Sequence, residues 1–316
     1  MRITAFPRIH ISLIDLAGVT PRKFGGIGFS IDGLCTELTA CPSGPATEPT
    51  DREDAAAIDA LARTFSGRFG RNAPKITMLS RTPKHVGLGS KTALLLGAAT
   101  LMAKACGINC SEQDIQILSG RGGASGVGVH AYFKGGVIVD AGHPRDGGPY
   151  RPSSCSSPRI IPPLVSQIIF PSQWRISLIL ASGIHPHGND EVSFFEQNTP
   201  VEGNEVLRVL AAVYHSIIPA FLEADIRLLH VGLAEVCNNG FKRREIANQP
   251  LAVAQLLASL ANHERIAVGM SSMGPMIYAI HEARDAESAN MLRRISHDLS
   301  ATFVGTFSGR NTGFAE

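Results

Sequence analysis

Arg2 to Ala5, Arg8 to Leu13 and Ile27 to Ile31 alternate apolar and polar positions, and Pro7 and Gly25-Gly26 interrupt them. That period predicts short strands in a small sheet. From Cys41 to Asp54 the pattern dissolves into Pro, Ser, Thr and acids, which predicts an exposed loop, followed by a helix over about Asp54 to Phe65 and a strand over Lys75 to Ser80. From Ser90 to Lys104 the chain is apolar nearly all round and rich in helix formers, so a helix buried on most faces is expected there. Ser111, with Asp114 three residues on, announces a second helix ending before Gly120. Val129 to Phe133 and Val137 to Asp140 flank Lys134-Gly135-Gly136, which reads as a hairpin.

Residues 142–163 carry six prolines among Ser, Arg and Gly, an irregular stretch expected to end the first half of the molecule. Beyond it the pattern predicts a strand over Arg175 to Ala181 and helices over about Glu202 to Glu223, Asp225 to Asn238 and Leu251 to Asn262. A strand pair, Ile266 to Met270 and Pro275 to Ile280, a helix over Ala286 to Asp298 and a strand over Ala301 to Phe307 complete it. This order predicts an α+β fold of two domains, 1–163 and 164–316, the second with helices stacked on an antiparallel sheet.

At 316 residues and 44% hydrophobic content the chain can bury two such cores. Its formal net charge of +2 gives no global attraction to nucleic acid or membranes, so any anionic partner must be met locally. The six cysteines lack paired C-x-x-C spacing and are expected to be reduced. No signal-like N-terminus and no uninterrupted apolar run near 18 residues is present, so a cytoplasmic protein without a spanning helix is expected.

Three glycine loops carry the candidate chemistry. The first, Pro83-Lys84-His85-Val86-Gly87-Leu88-Gly89-Ser90-Lys91-Thr92, joins a strand to the buried helix. Glycines allow close backbone approach, and the amides and dipole of a helix start favour phosphate. A packing turn is the plain alternative, at even odds on this loop alone, and the Walker spacing is absent. The second, Gly120-Arg121-Gly122-Gly123-Ala124-Ser125-Gly126-Val127-Gly128, adds a guanidinium able to clamp a phosphate or carboxylate; alone it reads slightly better as a flexible connector with an incidental Arg. The third, Gly269-Met270-Ser271-Ser272-Met273-Gly274-Pro275, offers hydroxyls and amides between two strands.

The order of these loops resembles the GHMP superfamily. Pro83 through Ser90 is similar to the phosphate loop of its small-molecule kinases, with departures at Lys91 and Thr92, and the kinases' N-terminal motif is replaced by Pro7-Arg8-Ile9-His10-Ile11-Ser12-Leu13-Ile14-Asp15-Leu16. Arg8 to Leu16, Arg22 to Phe29, Arg121 to Gly136, Ser271 to Pro275 and His187 to Glu191 with Phe194-Phe195 together resemble the beta-ribofuranosylaminobenzene 5'-phosphate synthase branch over most of the chain.

That resemblance implies a GHMP-type fold, with an N-terminal mixed sheet around a buried helix and a ferredoxin-like C-terminal domain. It implies a decarboxylating transfer of phosphoribose from 5-phosphoribosyl 1-pyrophosphate to 4-aminobenzoate or 4-hydroxybenzoate, on the way to tetrahydromethanopterin-type cofactors. Mg2+ or another divalent cation and a homodimer come with it. The implied phosphate site is Gly87, Leu88, Gly89, Ser90, Lys91, Thr92, Arg121, Gly122, Gly123, Ser125, Ser271, Ser272 and Gly274. Asp15, Arg22 and His10 are the implied catalytic set, and Arg8, His130, His187 and Glu191 the implied substrate contacts. Asp15 would stabilise the cationic sugar, hold magnesium or orient the para group, and Arg8 or His10 would hold the benzoate carboxylate. A GHMP kinase using ATP and a silent binder of a phosphorylated molecule are the competing readings.

Overall fold

The computed structural model describes residues 1–41, 51–155, 160–183 and 188–316. In chain order the elements are β1 (Arg2–Ala5), β2 (Arg8–Asp15), β3 (Arg22–Ser30), β4 (Thr36–Cys41), α1 (Arg52–Phe69), β5 (Lys75–Ser80), α2 (Ser90–Ala105), α3 (Glu112–Ser119), α4 (Val127–Lys134), β6 (Val137–Asp140), β7 (His143–Pro144) and β8 (Leu164–Ile168). There follow β9 (Trp174–Leu180), α5 (Asn189–Asn198), α6 (Gly203–Ala212), α7 (Ile218–Glu223), α8 (Ile226–Cys237), α9 (Gly240–Ala247), α10 (Leu251–Ala261), β10 (Ile266–Met270), β11 (Met276–Glu282), α11 (Ala286–Asp298) and β12 (Thr302–Phe307).

Among the described residues the strands form three sheets. β1-β4-β5 is a small antiparallel sheet, β2-β3-β6-β8 carries β7 as an extra partner of β3, and β10-β11-β9-β12 is the antiparallel sheet of the second half. Helix α2 has 13 buried residues, as its unbroken apolar sequence predicts, and packs with α1 and α3 against the first sheet. The third sheet is covered on both faces: Met276, Tyr278 and Ile280 of β11 face α6 to α8, while Ile277 and Ala279 face α10 and α11. Double coverage explains why these strands read as continuous apolar runs rather than as alternation. The predicted α+β class and antiparallel second sheet are what the structure has. The chain enters its second half through β8, which pairs with β6, and its end returns to the first half, where Ala315 bridges Thr4.

Several local expectations are corrected. Val129 to Phe133 is not a hairpin strand but part of α4, and Gly135, at φ 68°, caps that helix. Five residues of alternation do not separate the two periods, and the cap glycine mimics a turn. β4, β7, β8, α5 and α9 have no counterpart among the predicted elements. The helix expected over Glu202 to Glu223 is α6 and α7 joined by a π turn at Val213–Ile217. This run, Gly203–Glu223, is long and apolar enough to cross a membrane by length and composition, although Arg208, His215 and Pro219 interrupt it. Val209, Val213, Ile217 and Phe221 are nevertheless buried in the central core, and Val206 in the cluster beside the cleft. The capping box at Ser111 and Asp114 is formed as expected, and Cys35, Cys106, Cys110 and Cys237 are free thiols.

Candidate functional site

The three glycine loops converge on one cleft of about 410 Å³, within the range of small-molecule sites. In the first loop Gly87 has φ 92°, and a Cβ there would stand 2.2 Å from the Ser271 carbonyl oxygen. Only glycine lets the first and third loops touch backbone to backbone at this point. Ser271 completes the junction: its Oγ donates to the Gly87 carbonyl at 2.7 Å and accepts from the His10 amide at 3.0 Å. The Ser272 amide donates to the His10 carbonyl at 2.9 Å, and the Arg8 amide to that of Leu88 at 3.1 Å. β2 therefore fixes the spacing of the two loops. A bulge between His10 and Ser12 in its pairing with β3 sits at this point, a usual device for re-aiming side chains beside a site.

Helix α2 starts at the cleft behind Gly89, a left-handed cap with no side-chain hydrogen bond, so its first turn presents amides to the cavity. The second loop brings Arg121, whose Nε donates to Thr92 Oγ1 at 3.1 Å and whose Nη1 lies 3.4 Å from the Ser153 carbonyl. Arg8 donates from Nη1 to the Gly87 carbonyl at 2.6 Å, and its Nε is buried without a partner among the described residues. Burial and the neighbouring Arg121 lower Arg8 to about 10, against Glu245 and Glu191, so both guanidiniums remain cationic at neutral pH. Burial, Arg8 and Lys242 hold the His10 imidazole well below its ordinary range, which makes it neutral. Two cations held in place beside a helix start form an anion site.

The predicted phosphate residues Gly87, Leu88, Gly89, Ser90, Lys91, Thr92, Arg121, Gly122, Ser125, Ser272 and Gly274 line this cleft, together with Arg8, His10 and Glu191. Ser271 stands directly behind the wall, and Gly123 lies beside it in the second loop without lining it. Four other predictions fall elsewhere. The Asp15 carboxylate accepts from the amides of Ala17, Gly18, Val19 and Thr20 at 3.0, 2.7, 3.4 and 3.0 Å, closing the β2–β3 connection outside the cleft wall. Arg22 donates to the carbonyls of Ala141 and Gly142 at 2.6 and 2.8 Å, tying β3 to the chain after β6. His130 is buried under the second loop with Nε2 2.7 Å from the Pro162 carbonyl, which assigns the proton to Nε2. His187 lies outside the described residues.

This placement gives a test. Asp15→Ala strips four amides of their acceptor, and the expected result is a loss of about 1–3 kcal/mol in denaturant unfolding, with substrate KM values close to wild type. A folded Asp15→Ala protein with wild-type stability and no turnover would return Asp15 to the chemistry.

Sequence reasoning missed one buried pair. Lys242 on α9 is 1% exposed and lies 2.5 Å from Glu245 Oε2, which is 5% exposed and faces the cleft. The contact is an ion pair without good hydrogen-bond angles at Oε2. Lys242 Nζ also donates to the carbonyls of Met270 and Ser272 at 3.1 and 2.7 Å, so it pins the third loop from beneath. Burial pushes the Glu245 carboxyl up, against the pull of Lys242 and Arg8. At the rim, Lys84 is paired with Asp51 and Glu53 at 2.6 and 3.0 Å, and Arg81 with Asp54 at 2.8 Å.

Asp140 supports the second loop, accepting from Ser125 Oγ at 2.8 Å and from the Gly126 and Gly142 amides at 3.0 and 2.8 Å. Burial, the largest influence, raises its carboxyl from 3.8 to about 6 despite these bonds. The folded state therefore takes up this proton before the unfolded chain does, and this group alone makes the fold more stable as pH falls from about 7 to about 4. Asp140→Asn is expected to flatten the dependence in that window and to loosen the loop, read by urea unfolding at several pH values.

Comparison with known proteins places this geometry. Residues 55–136 match the family model of the GHMP kinases N terminal domain. A beta-ribofuranosylphenol 5'-phosphate synthase of Methanothermobacter thermautotrophicus is 30% identical over 97% of this chain and 95% of its own length. One of the same name from Archaeoglobus fulgidus is 31% identical over 93% and 91%. Among solved structures, a homoserine kinase of Cytophaga hutchinsonii superposes with TM-score 0.68 at 13% identity, covering 99% of this chain and 96% of its own. The phosphomevalonate kinase of Streptococcus pneumoniae gives 0.68 at 13%, over 97% and 98%. The kinases share the fold alone, whereas the likeness to the synthases runs over most of the chain. The chain belongs to the beta-ribofuranosylphenol 5'-phosphate synthase family, an enzyme family built on the GHMP fold.

Proposed function

We propose that the chain transfers phosphoribose from 5-phosphoribosyl 1-pyrophosphate to 4-hydroxybenzoate or 4-aminobenzoate, releasing CO2 and pyrophosphate. The observation that carries this reading is the pair Arg8 and Arg121, which flanks the start of α2 in one cleft of a chain of this family. The bond from the anomeric carbon to oxygen breaks, and pyrophosphate leaves with the electron pair. The ring carbon bearing the carboxylate bonds to the sugar carbon, helped by the para substituent. The carboxylate then leaves as CO2, and the electrons of the broken bond restore the aromatic ring. No net proton is needed.

The chain's share of this work is electrostatic. The amides of the first loop and of α2, with Lys91 and Arg121, receive the charge that develops on the leaving pyrophosphate. Arg8, with an uncommitted Nε, holds the acceptor carboxylate until it departs. Neutral His10 lies beside the reacting centre without adding a further cation.

Among the described residues no group of three or more His, Cys, Asp or Glu side chains forms a metal cage. Glu191, in the cleft lining and within electrostatic reach of both arginines, is the carboxylate that would help hold a magnesium ion arriving with the donor. Such an ion supplies charge neutralisation of the departing pyrophosphate when bound. Phosphorus NMR tests the reading: pyrophosphate is expected to appear only when donor and acceptor are both present. Pyrophosphate formed without acceptor, or none with either benzoate, would overturn it.

A further inference from the structure

One end of the cleft is apolar, and nothing in the phosphate chemistry calls for it. Leu13 from β2, Ala124 from the second loop, Met273 from the third loop and Phe195 from α5 all line the cavity and pack together as one cluster. They come from four separate segments, yet each is less than 9% exposed. Phe195 rests on Phe241 with ring centroids 4.7 Å apart, and Phe194 flanks the same ring at 5.4 Å, so the wall is braced from behind. A rigid apolar slot beside two guanidiniums matches a flat, hydrophobic molecule with one anionic end. A phosphosugar, hydroxylated on both faces, has no use for such a surface.

We infer that Leu13, Ala124, Phe195 and Met273 form the ring subsite of an aromatic carboxylic acid, with Arg8 at its charged end. This rests on the reading above and adds where the acceptor sits and which side chains select it. In this arrangement the glycine loops face the donor and the slot faces the ring, so the two substrates meet across Arg8 and His10. Helix α5 carries Glu191 one turn before Phe195, which puts a carboxylate on the same face as the aromatic wall. The slot discriminates by shape and hydrophobicity, and an aliphatic ring acid of the same length should fit it poorly.

Equilibrium binding separates this inference from the reading it rests on. Calorimetric titration of the full chain with 4-hydroxybenzoate, with cyclohexanecarboxylate and with 5-phosphoribosyl 1-pyrophosphate gives the reference affinities. Phe195→Ala is expected to weaken 4-hydroxybenzoate by roughly 10–200-fold, the range for a lost apolar contact, while donor affinity stays within about threefold. Ala124→Leu fills the slot instead of emptying it and should give the same split, which guards against Phe195→Ala failing to fold. Equal weakening of donor and acceptor, unchanged acceptor affinity in both variants, or cyclohexanecarboxylate binding as tightly as 4-hydroxybenzoate would overturn the subsite. Benzoate binding lost in the variants of a wild-type protein that releases no CO2 would uphold the subsite and overturn the reaction. CO2 release with unchanged benzoate KM in both variants would do the reverse.

Discussion

Lys242→Met is expected to destabilise the protein by about 3–5 kcal/mol, the cost of leaving a buried carboxylate without its counter-ion. Glu245 then stands 5% exposed with its contacting cation gone and only the more distant Arg8 to offset its charge, and the carbonyls of Met270 and Ser272 lose their shared donor. Both effects fall on the third loop, so the thermal midpoint should drop by roughly 6–15 °C and activity should fall with it. The double variant Lys242→Met/Glu245→Leu removes the stranded charge and should recover much of the stability, because two apolar side chains can replace a buried pair at little cost. It should recover little activity, since the loop carbonyls remain unheld. A single variant within about 1 kcal/mol of wild type in urea unfolding would show that water reaches Glu245 and that the pair is not structural.

The largest effect on turnover is expected at Arg8. Its Nη1 bond to the Gly87 carbonyl is backed by Ser271 Oγ, which donates to the same oxygen, so Arg8→Ala should leave the loop standing. What it removes is the guanidinium that holds the acceptor carboxylate, and kcat/KM should fall by about 10²-fold or more, the loss expected when a substrate is no longer held in register. Arg8→Lys should recover less than a tenth of that loss, because an ammonium cannot reproduce the planar fork. Steady-state kinetics with the midpoint measured alongside decide the matter. A lysine variant within threefold of wild type would mean that only the charge matters.

The parts of this molecule legible in the sequence are those where local chemistry and tertiary context agree. The unbroken apolar run from Ser90 forms a buried helix, and the glycines before it mark a chain reversal at its start. Ser111 and Asp114 form their capping box whatever surrounds them. The convergence of the three loops followed from the resemblance and not from any one loop, since the first alone reads equally as an anion site or a packing turn and the other two as a connector and a hairpin turn. Elsewhere tertiary context prevailed. α4 alternates like a strand, yet its glycine cap and its packing on α2 make it a helix. Lys242 and Glu245 look like a solvated face in a segment of charges, and only the assembled fold shows them buried. Asp15 and Arg22, the most suggestive charged residues near the start, are held by backbone amides and carbonyls that no motif displays.

Release of carbon dioxide from carboxyl-labelled 4-hydroxybenzoate and 4-aminobenzoate, with 5-phosphoribosyl 1-pyrophosphate and magnesium and with ATP as the control, tests the central claim most directly. Release that requires the phosphoribosyl donor, matches the pyrophosphate formed and is absent with ATP is the result predicted here. Labelled carboxylate left intact with the donor for both benzoates, or phosphate transfer from ATP to a small alcohol, would contradict it.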